Sequence, residues 1–254
     1  SHHAAHCTLA IIKDIPTEPV LLDESAKRHN EQLIEACTKA GYFMVEGQAL
    51  AYVPIDFQTT AEFLARMPRA RRRDIKRKLR SASGLDIEVL HTGSVFFSDE
   101  KTLAQLYTLY LNVYEQSLTH FDLLSPEFFR AVLCDASNGG IVFLYKIKGE
   151  LIGYNLCFEH AGRLIDKYVG FAYPQAREHN LYCVSWFNNL EYALQRSLSC
   201  YVAGWSDPEI KRHLGARFTF TRHAVYIRIR WLRWLLSHFK HHFEADAQWH
   251  QQSR

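Results

Sequence analysis

The chain has 254 residues, nearly half of them hydrophobic, with only 12 Gly and 7 Pro. This composition indicates a globular protein and excludes the disordered, collagen-like and disulfide-rich secreted classes. No apolar run reaches the roughly 18 residues that a membrane-spanning helix needs. The six Cys form no CxxC pair and no signal-peptide pattern opens the chain, so the sequence predicts a cytoplasmic protein.

Positive charge is concentrated in one stretch. The net charge of +3 is the difference between 30 Lys and Arg and 27 Asp and Glu. Residues 66–80 hold nine Lys and Arg against one acid, or +8, which leaves 21 basic and 26 acidic residues, or −5, for the rest. Such a block repels itself unless a polyanion lies nearby. RNA, a membrane surface and the phosphates of a cofactor are the candidates, and a solvated linker is the alternative.

The 14 His raise the question of a metal site. Their two densest groups lie at residues 2–6 and 238–242, near the ends of the chain. Neither group has Cys or acidic partners at the spacing of metal ligands. The sequence therefore predicts no metal.

The N-terminal part predicts a small α/β lobe. A strand over residues 10–14 precedes a helix over residues 23–40, which Gly41 ends. Residues 42–57 alternate between polar and apolar side chains, and we predict a hairpin that turns at Gly47 and finishes as an edge strand.

Two helices follow and lead out of this lobe. Thr59 fits an N-cap for a helix over residues 61–66, and Pro68 separates it from a second helix over residues 69–81. The second helix carries most of the basic block. It is the predicted connection between the lobe and the remainder of the chain.

The pattern of residues after the basic helix predicts a mixed sheet with helices. Its centre is a meander of three strands that are rich in β-branched and aromatic residues and are separated by Gly-containing turns. A helix follows the meander, so a helix N-terminus is expected at the sheet edge, where it favours an anion. The predicted strands cover 85–90, 141–145, 151–158, 164–171, 199–205 and 217–230, and the helices cover 101–117, 125–134, 181–196 and 208–214.

The C-terminal segment, residues 230–243, places Trp231 and Trp234 at helical spacing with basic residues opposite. Its apolar face is expected to pack on the sheet or on a second subunit, which makes a homodimer one expectation. Binding to a membrane surface is the alternative.

The order of elements and several sequence phrases resemble the GNAT N-acetyltransferase superfamily, most closely its FemAB-like branch. The phrases are LARMPRARRRDIKRKLR, LTHFDLLSPEFFRAVL, GELIGYNLCF, RLIDKYVGFAY, REHNLYCVSWFNNLEYAL and IKRHLGARF. The resemblance implies a GNAT-like α/β fold with a mixed sheet. It divides the chain into an N-terminal lobe with the basic helix (1–84), an acyltransferase domain (85–230) and a C-terminal tail (231–254).

The resemblance also implies where an activated acyl donor lies. Two parallel strands, 164–171 and 199–205, are expected to splay apart around the donor, and the turn before the helix at Leu181 is expected to face its phosphates. Donor contacts are expected from the turn and from the basic helix. The residues are Arg177, His179, Asn180 and Leu181 in the turn, and Arg71, Arg72 and Arg73 in the helix.

Four residues are candidates for the chemistry. Asp166 and Tyr168 lie in the central strand and share one face if the strand alternates regularly. A carboxylate in an apolar strand is costly to bury, so it indicates a cleft or an internal ion pair. Asn155 can orient a carbonyl or bond to backbone, and Tyr182 can protonate a leaving group or belong to the core.

These residues predict an N-acyltransferase that uses direct attack by an amine on an activated carbonyl. The expected donor is a thioester of coenzyme A (acyl-CoA) or of acyl carrier protein, and the acceptor is an amine on a small molecule or peptide. An acidic carrier protein or tRNA would dock on the basic helix. Two alternatives stay open: a Fem-like transferase that uses aminoacyl-tRNA, and a non-catalytic GNAT-shaped module that binds RNA or a membrane.

Overall fold

A computed structural model describes residues 8–17, 21–80, 82–117 and 123–229, together with residues 231, 232 and 234. The predicted C-terminal helix and both His-rich ends fall almost wholly outside these residues. The strands of the described part are β1 (Leu9–Pro16), β2 (Phe43–Pro54), β3 (Leu85–His91), β4 (Gly140–Ile147), β5 (Glu150–His160), β6 (Arg163–Phe171), β7 (Cys200–Gly204) and β8 (Arg217–Ile227). The helices are α1 (Glu24–Lys39), α2 (Thr60–Ala65), α3 (Arg69–Arg80), α4 (Glu100–Gln116), α5 (Pro126–Cys134), α6 (Gln175–Glu178), α7 (Leu181–Gln195) and α8 (Pro208–His213).

The chain forms two compact units. The first contains the described residues up to Ala51 together with those from Phe218 onward, and the second contains Tyr52–Arg217. These boundaries differ from the sequence-based division at residues 84 and 230, because the basic helix α3 packs against α7 and because β8 pairs with β1.

In the first unit, β8 lies between β1 and β2, and β1 and β8 are antiparallel. Asp23 caps α1 by accepting a 2.7 Å hydrogen bond from the backbone N–H of Ala26. Cys37 of α1 packs with Ile15 and Ala224 to form a small apolar core.

Residues 43–54 form one continuous strand, so the predicted hairpin at Gly47 is wrong. A side chain on Gly47 would collide with the Thr221 hydroxyl and would lie 3.0 Å from the His223 ring. Glycine is therefore needed here because β8 passes close to the backbone, and not because the chain turns.

In the second unit, the strands lie in the order β7-β6-β5-β4-β3. Neighbouring strands are antiparallel except for β6 and β7, which are parallel. Helices α4 and α5 cover one face through a core that includes Leu106, Phe129, Tyr154 and Leu156. Helix α7 covers the other face, where Trp186 packs edge-on against Tyr201. The sheet is thus closed on both sides around the central strands.

Gly170 of β6 lies directly under α4, and we expect Gly170→Ala to lower the free energy of unfolding by about 1–3 kcal/mol. Its new methyl group would collide with the Tyr154 ring and lie 2.9 Å from Leu109 of α4. Chemical denaturation measures the change. Because the Gly170 backbone is not in the left-handed region, unchanged stability would mean that α4 packs farther from β6 than the structure shows.

Candidate active site

The two central parallel strands separate soon after they begin. Their paired residues are Arg163 with Cys200, Leu164 with Tyr201, and Ile165 with Val202. Strand β6 continues to Phe171 and β7 to Gly204, and within the described residues no further pairs join them. The predicted end of pairing between these strands is confirmed, and we call the unpaired stretch the β6–β7 opening.

A β-bulge in β6 decides which side chains face this opening. Leu156 pairs with Tyr168 and Cys157 pairs with Asp166, so Lys167 is an extra residue in β6. Asp166 and Tyr168 therefore lie on opposite faces of the sheet, and the prediction that they share a face is wrong. Tyr168 packs in the apolar core beneath α4, where its ring meets Tyr110 edge-on at 6.3 Å between centroids.

Asp166 is the acceptor of a hydrogen-bond network on the α7 side of the sheet. Its carboxylate accepts from Asn155 Nδ2 at 3.1 and 2.9 Å, from Asn189 Nδ2 at 3.1 Å, and from the Tyr201 hydroxyl at 2.9 Å. Cys157 Sγ lies 3.8 Å away. These four neighbours are each at most 1 % exposed, and the resulting burial raises the pKa of Asp166 although the bonds from Asn155 and Tyr201 oppose it.

This network gives Asn155 and Asp166 a positioning role. The two carboxylate oxygens already accept bonds from three side-chain donors, which occupy most of their lone pairs. The structure thus brings two of the predicted catalytic residues together. Beside the opening, the Asp166 carboxylate acts as a fixed negative charge rather than as an accessible base.

Lys211 is a site residue that sequence reasoning missed. It is 4 % exposed, and its Nζ donates a 2.7 Å hydrogen bond to the carbonyl oxygen of Ala203 near the end of β7. Burial lowers the pKa of Lys211 to about 8, while Asp166 and Asp207 act in the opposite direction. The sequence carries no clear signal for it, because α8 has only six residues, too few for periodicity to show which face is buried.

Tyr182, near the start of α7, remains protonated at neutral pH. Burial raises its pKa, and the nearby charges of Asp207 and Asp166 raise it further. Its ring meets Phe171 edge-on at the end of β6. Tyr182 is therefore a hydroxyl donor within electrostatic reach of the Asp166 network, which supports its predicted place at the site.

Lys167 extends from the bulge toward the other strand. Its Nζ lies 5.6 Å from the ring centroid of Tyr168 and 5.9 Å from that of Trp205, the residue after β7. An ammonium between two ring faces is held by cation–π attraction. The side chain therefore links the two strands where their backbones no longer pair.

The predicted phosphate turn is a closed helical turn. Within and just after α6, the N–H groups of Arg177, His179 and Asn180 donate to carbonyl oxygens of the same segment at 2.9, 3.0 and 3.1 Å. The Arg177 guanidinium donates to Gln116 Oε1 at 2.7 Å and stacks on Tyr173. The side chain of Leu181 is buried, and α7 begins there without a side-chain cap. The turn therefore uses the N–H groups of Arg177, His179 and Asn180 internally, and contact of a donor with the start of α7 stays a prediction.

The basic helix α3 divides its charges between two faces. Arg71 and Arg72 turn inward and donate to the carbonyl oxygens of Arg212 and Ala65, at 3.3 and 3.2 Å. Arg73 is exposed. The exposed cations recur at spacings that align them along the helix, and we call them the α3 stripe: Arg69, Arg73, Lys76, Arg77 and Arg80.

Asp74 anchors this helix. It accepts from Arg77 at 2.7 Å and from Lys78 at 2.8 Å, and it lies 3.2 Å from His213 of α8. The bonds from Lys78 and Arg77 hold the pKa of Asp74 well below its usual range. The lone acid of the block thus ties α3 to the helix that carries Lys211.

The described residues contain no cluster of three or more His, Cys, Asp or Glu side chains placed to hold a metal ion. Within the same residues, no helix combines the length and apolarity needed to cross a bilayer.

Solved structures share this fold, among them the following three. FemX is 14 % identical in sequence to this chain. The match covers 92 % of this chain and 76 % of the FemX chain, with a TM-score of 0.59. The C-terminal domain of a provisionally assigned lysylphosphatidylglycerol synthetase from Agrobacterium fabrum is 12 % identical, with coverages of 80 % and 70 % and a TM-score of 0.57. The L-PGS structure from Bacillus licheniformis is 10 % identical, with coverages of 83 % and 70 % and a TM-score of 0.56.

At the sequence level, no curated protein matches the chain. A family model does: residues 21–253 match the FemAB-like family, described as acting in peptidoglycan biosynthesis or recognition. This match supports a transferase of acyl or aminoacyl groups and leaves its donor and acceptor open. It confirms the predicted resemblance, and the chain belongs to the FemAB-like family.

Proposed function

We propose that the protein is an N-acyltransferase that moves an acyl group from a thioester on an acidic carrier protein to an amine. The observation that carries this proposal is the β6–β7 opening, which has a buried cation, Lys211, at the end of one strand and a protonated phenol, Tyr182, beside the other. Acyl transfer needs both kinds of group around the reacting carbonyl.

The reaction follows from these positions. The neutral amine attacks the thioester carbonyl, a C–N bond forms, and negative charge develops on the carbonyl oxygen. The ammonium of Lys211 stabilises that oxyanion, and the Asp166 charge helps to keep Lys211 protonated. When the C–S bond breaks, the surplus proton of the new amide nitrogen passes to the leaving thiolate through the Tyr182 hydroxyl, which gives one proton as it receives another, so protons balance.

Direct attack is favoured over a covalent cysteine intermediate. Burial raises the pKa of Cys183, the Cys nearest the start of α7, to about 11. A thiol with such a pKa is almost wholly protonated at neutral pH and is a poor nucleophile. The amine acceptor is therefore the attacking group.

The proposed donor follows from the turn and from α3. In the predicted phosphate turn, the N–H groups of Arg177, His179 and Asn180 are already bonded within the α6 segment. The α3 stripe places five cations along 12 residues, about 16 Å of helix. An acidic carrier protein fits this surface because it brings negative charge without needing a phosphate-binding turn.

Aminoacyl-tRNA is the second candidate donor. The family match and the likeness of the fold to FemX favour it, and tRNA phosphates would fit the same stripe. The chemistry at the opening would be unchanged, with an ester oxygen in place of the thioester sulfur.

A donor comparison tests the function. Purified protein is given hydroxylamine as a general acceptor and one acyl group on a carrier protein or on coenzyme A, or an aminoacyl-tRNA, and hydroxamate formation is followed. We expect turnover with the carrier-bound thioester. Turnover of aminoacyl-tRNA alone would establish the second candidate. Binding of RNA or vesicles with no donor consumed would show the non-catalytic module.

The α3 stripe gives a prediction about donor docking. In the triple variant Arg73→Glu, Lys76→Glu and Arg80→Glu, we expect kcat/KM for the carrier-bound donor to fall about tenfold or more at low salt. The loss should shrink as added salt shortens the range of the charges. A short acyl thioester without carrier should react normally, because the variant leaves the opening unchanged.

The matched control for the stripe is Lys101→Glu, which reverses an exposed charge on α4. It should leave kcat/KM unchanged. If the triple variant loses nothing at any ionic strength, the α3 stripe does not dock the donor.

A further inference from the structure

A cavity of about 260 Å³ lies in the second unit, beside the start of α3 and the end of α8. Its floor is apolar and includes Val53, Phe63 and Met67, which are 1 %, 7 % and 8 % exposed. We call it the arginine pocket, because four of the residues that line it are Arg66, Arg71, Arg212 and Arg217.

The backbone keeps this floor accessible. Gly215 has φ +96°, and a Cβ there would lie 2.5 Å from Met67 Cε and 2.7 Å from Phe63 Cζ. Any larger residue would have to displace the floor as well as adopt a strained backbone. The glycine thus lets the chain pass over the apolar side chains without changing their position.

The charge of the pocket is strongly positive. Four guanidinium groups and one carboxylate, Asp56, line it, so the formal charge of the lining is four minus one, or +3. A concave surface of one sign concentrates counter-ions. The pocket therefore favours an anion.

Two of the guanidinium groups are oriented by Asp56. Arg66 donates to the Asp56 carboxylate, to its carbonyl oxygen at 2.7 Å and to Glu62 at 2.8 Å. Arg217 lies 3.7 Å from the other Asp56 oxygen. Arg71, another lining residue, donates a hydrogen bond to the Arg212 carbonyl oxygen at 3.3 Å. The walls are thus arranged before a ligand enters, which lowers the entropic cost of binding.

We propose that the arginine pocket binds a small oxyanion, a carboxylate or phosphate group, carried on a short apolar stem. Guanidinium groups match both anions through paired N–H donors, and the Val53, Phe63 and Met67 floor takes the stem. The volume is below the ~300 Å³ at which drug-sized ligand sites begin, so the part of a ligand that the pocket encloses is smaller than a nucleotide. None of the cavity residues belongs to the Asp166 network, so this site is separate from the β6–β7 opening.

Calorimetric titration of the whole protein tests this site. The probes are hexanoate, hexyl phosphate, inorganic phosphate and hexanol. We expect hexanoate or hexyl phosphate to bind at least about tenfold more tightly than inorganic phosphate or hexanol, a difference of about 1.4 kcal/mol. The tighter of the first two identifies the natural anion as carboxylate or phosphate.

Variants assign the binding to the pocket. Arg71→Gln should weaken the tighter probe by about tenfold or more, as the loss of a charge-assisted hydrogen bond implies. Arg217→Gln, at a side chain that is 62 % exposed, is a second variant that should not disturb folding. Arg73→Gln, two residues along α3 on its exposed side, is the matched control and should bind normally.

Three results would overturn the proposal. One is the absence of binding heat from hexanoate or hexyl phosphate up to about 10 mM, because such binding would be weaker than that of any specific ligand site. Another is equal binding of inorganic phosphate and hexyl phosphate, which would show that the apolar floor takes no part in recognition. The third is an equal loss in Arg73→Gln, which would reduce the effect to general electrostatic attraction.

Discussion

Lys211→Met is expected to lower turnover by about two to three orders of magnitude, the usual effect of removing a group that stabilises an oxyanion. Met matches the length of the lysine stem and has no charge. The same variant should be at least as stable as the wild type, because burial of a lysine opposes its charged form. Steady-state kinetics and thermal unfolding measure the two effects. Lys101→Met, an exposed lysine on α4, is the control.

The pH dependence separates this role from a structural one. Below about pH 8 Lys211 carries its proton, so turnover that depends on the ammonium should decline as pH rises through that value. An increase across the same range, after correction for ionisation of the acceptor amine, would make Lys211 a base rather than an oxyanion partner.

Stability should change in the opposite sense. Between about pH 8 and the usual pKa of 10.5, the unfolded chain binds more protons at Lys211 than the folded chain does. The wild type should therefore become more stable as pH rises through this window, by on the order of 3 kcal/mol. Denaturation at both ends of the window measures the gain, and Lys211→Met should lack it. A gain of equal size in the variant would come from another group.

Asp166→Asn is expected to reduce the free energy of unfolding by about 2–4 kcal/mol, because buried donors lose their charged acceptor. The new amide would direct N–H groups at Asn155, Asn189 or Tyr201, which all donate to the present carboxylate. Turnover should fall as well, since Asp166 helps to keep Lys211 charged. The decline of turnover with rising pH should begin at a lower pH in Asp166→Asn than in the wild type.

The control for this change is Asp86→Asn, the same substitution at an exposed position of β3. It should alter stability by less than about 0.5 kcal/mol. If Asp166→Asn is equally mild, the carboxylate does not hold the network together, and its link to Lys211 fails with it.

Much of the fold could be predicted because local patterns agree with tertiary packing. The apolar stripe of α4 predicted the bounds of that helix within a residue or two. Ser125 and Pro126 did the same for the start of α5. The failure at Gly47 has a tertiary cause. The crowding that requires glycine there comes from Thr221 and His223, which are far away in the sequence.

The site could be predicted less well for a similar reason. Asp166 and Asn155 were found because each interrupts the apolar pattern of a strand. Burying a polar side chain costs free energy, so such an interruption indicates a site. Lys211 was missed because α8 is a single short helix, in which neither face is established by periodicity. Its burial depends on β7 and on the chain reversal at Asp207, where φ is +53°.

The single extra residue in β6 has a consequence for how this protein tolerates insertions and deletions. Every position after Lys167 is one step out of phase with the positions before it. Deleting Lys167 would leave Asp166 and Tyr168 on their present faces, because consecutive residues of a regular strand point to opposite sides. Elsewhere in the strand, a one-residue change would put the positions on one side of it out of phase with their partners. The bulge is therefore the one place in the middle of this strand where a residue can be lost without exchanging a buried carboxylate for an aromatic ring, whereas the turns at Gly149 and Gly162, with no backbone neighbour crowding them, are the natural places for length to vary.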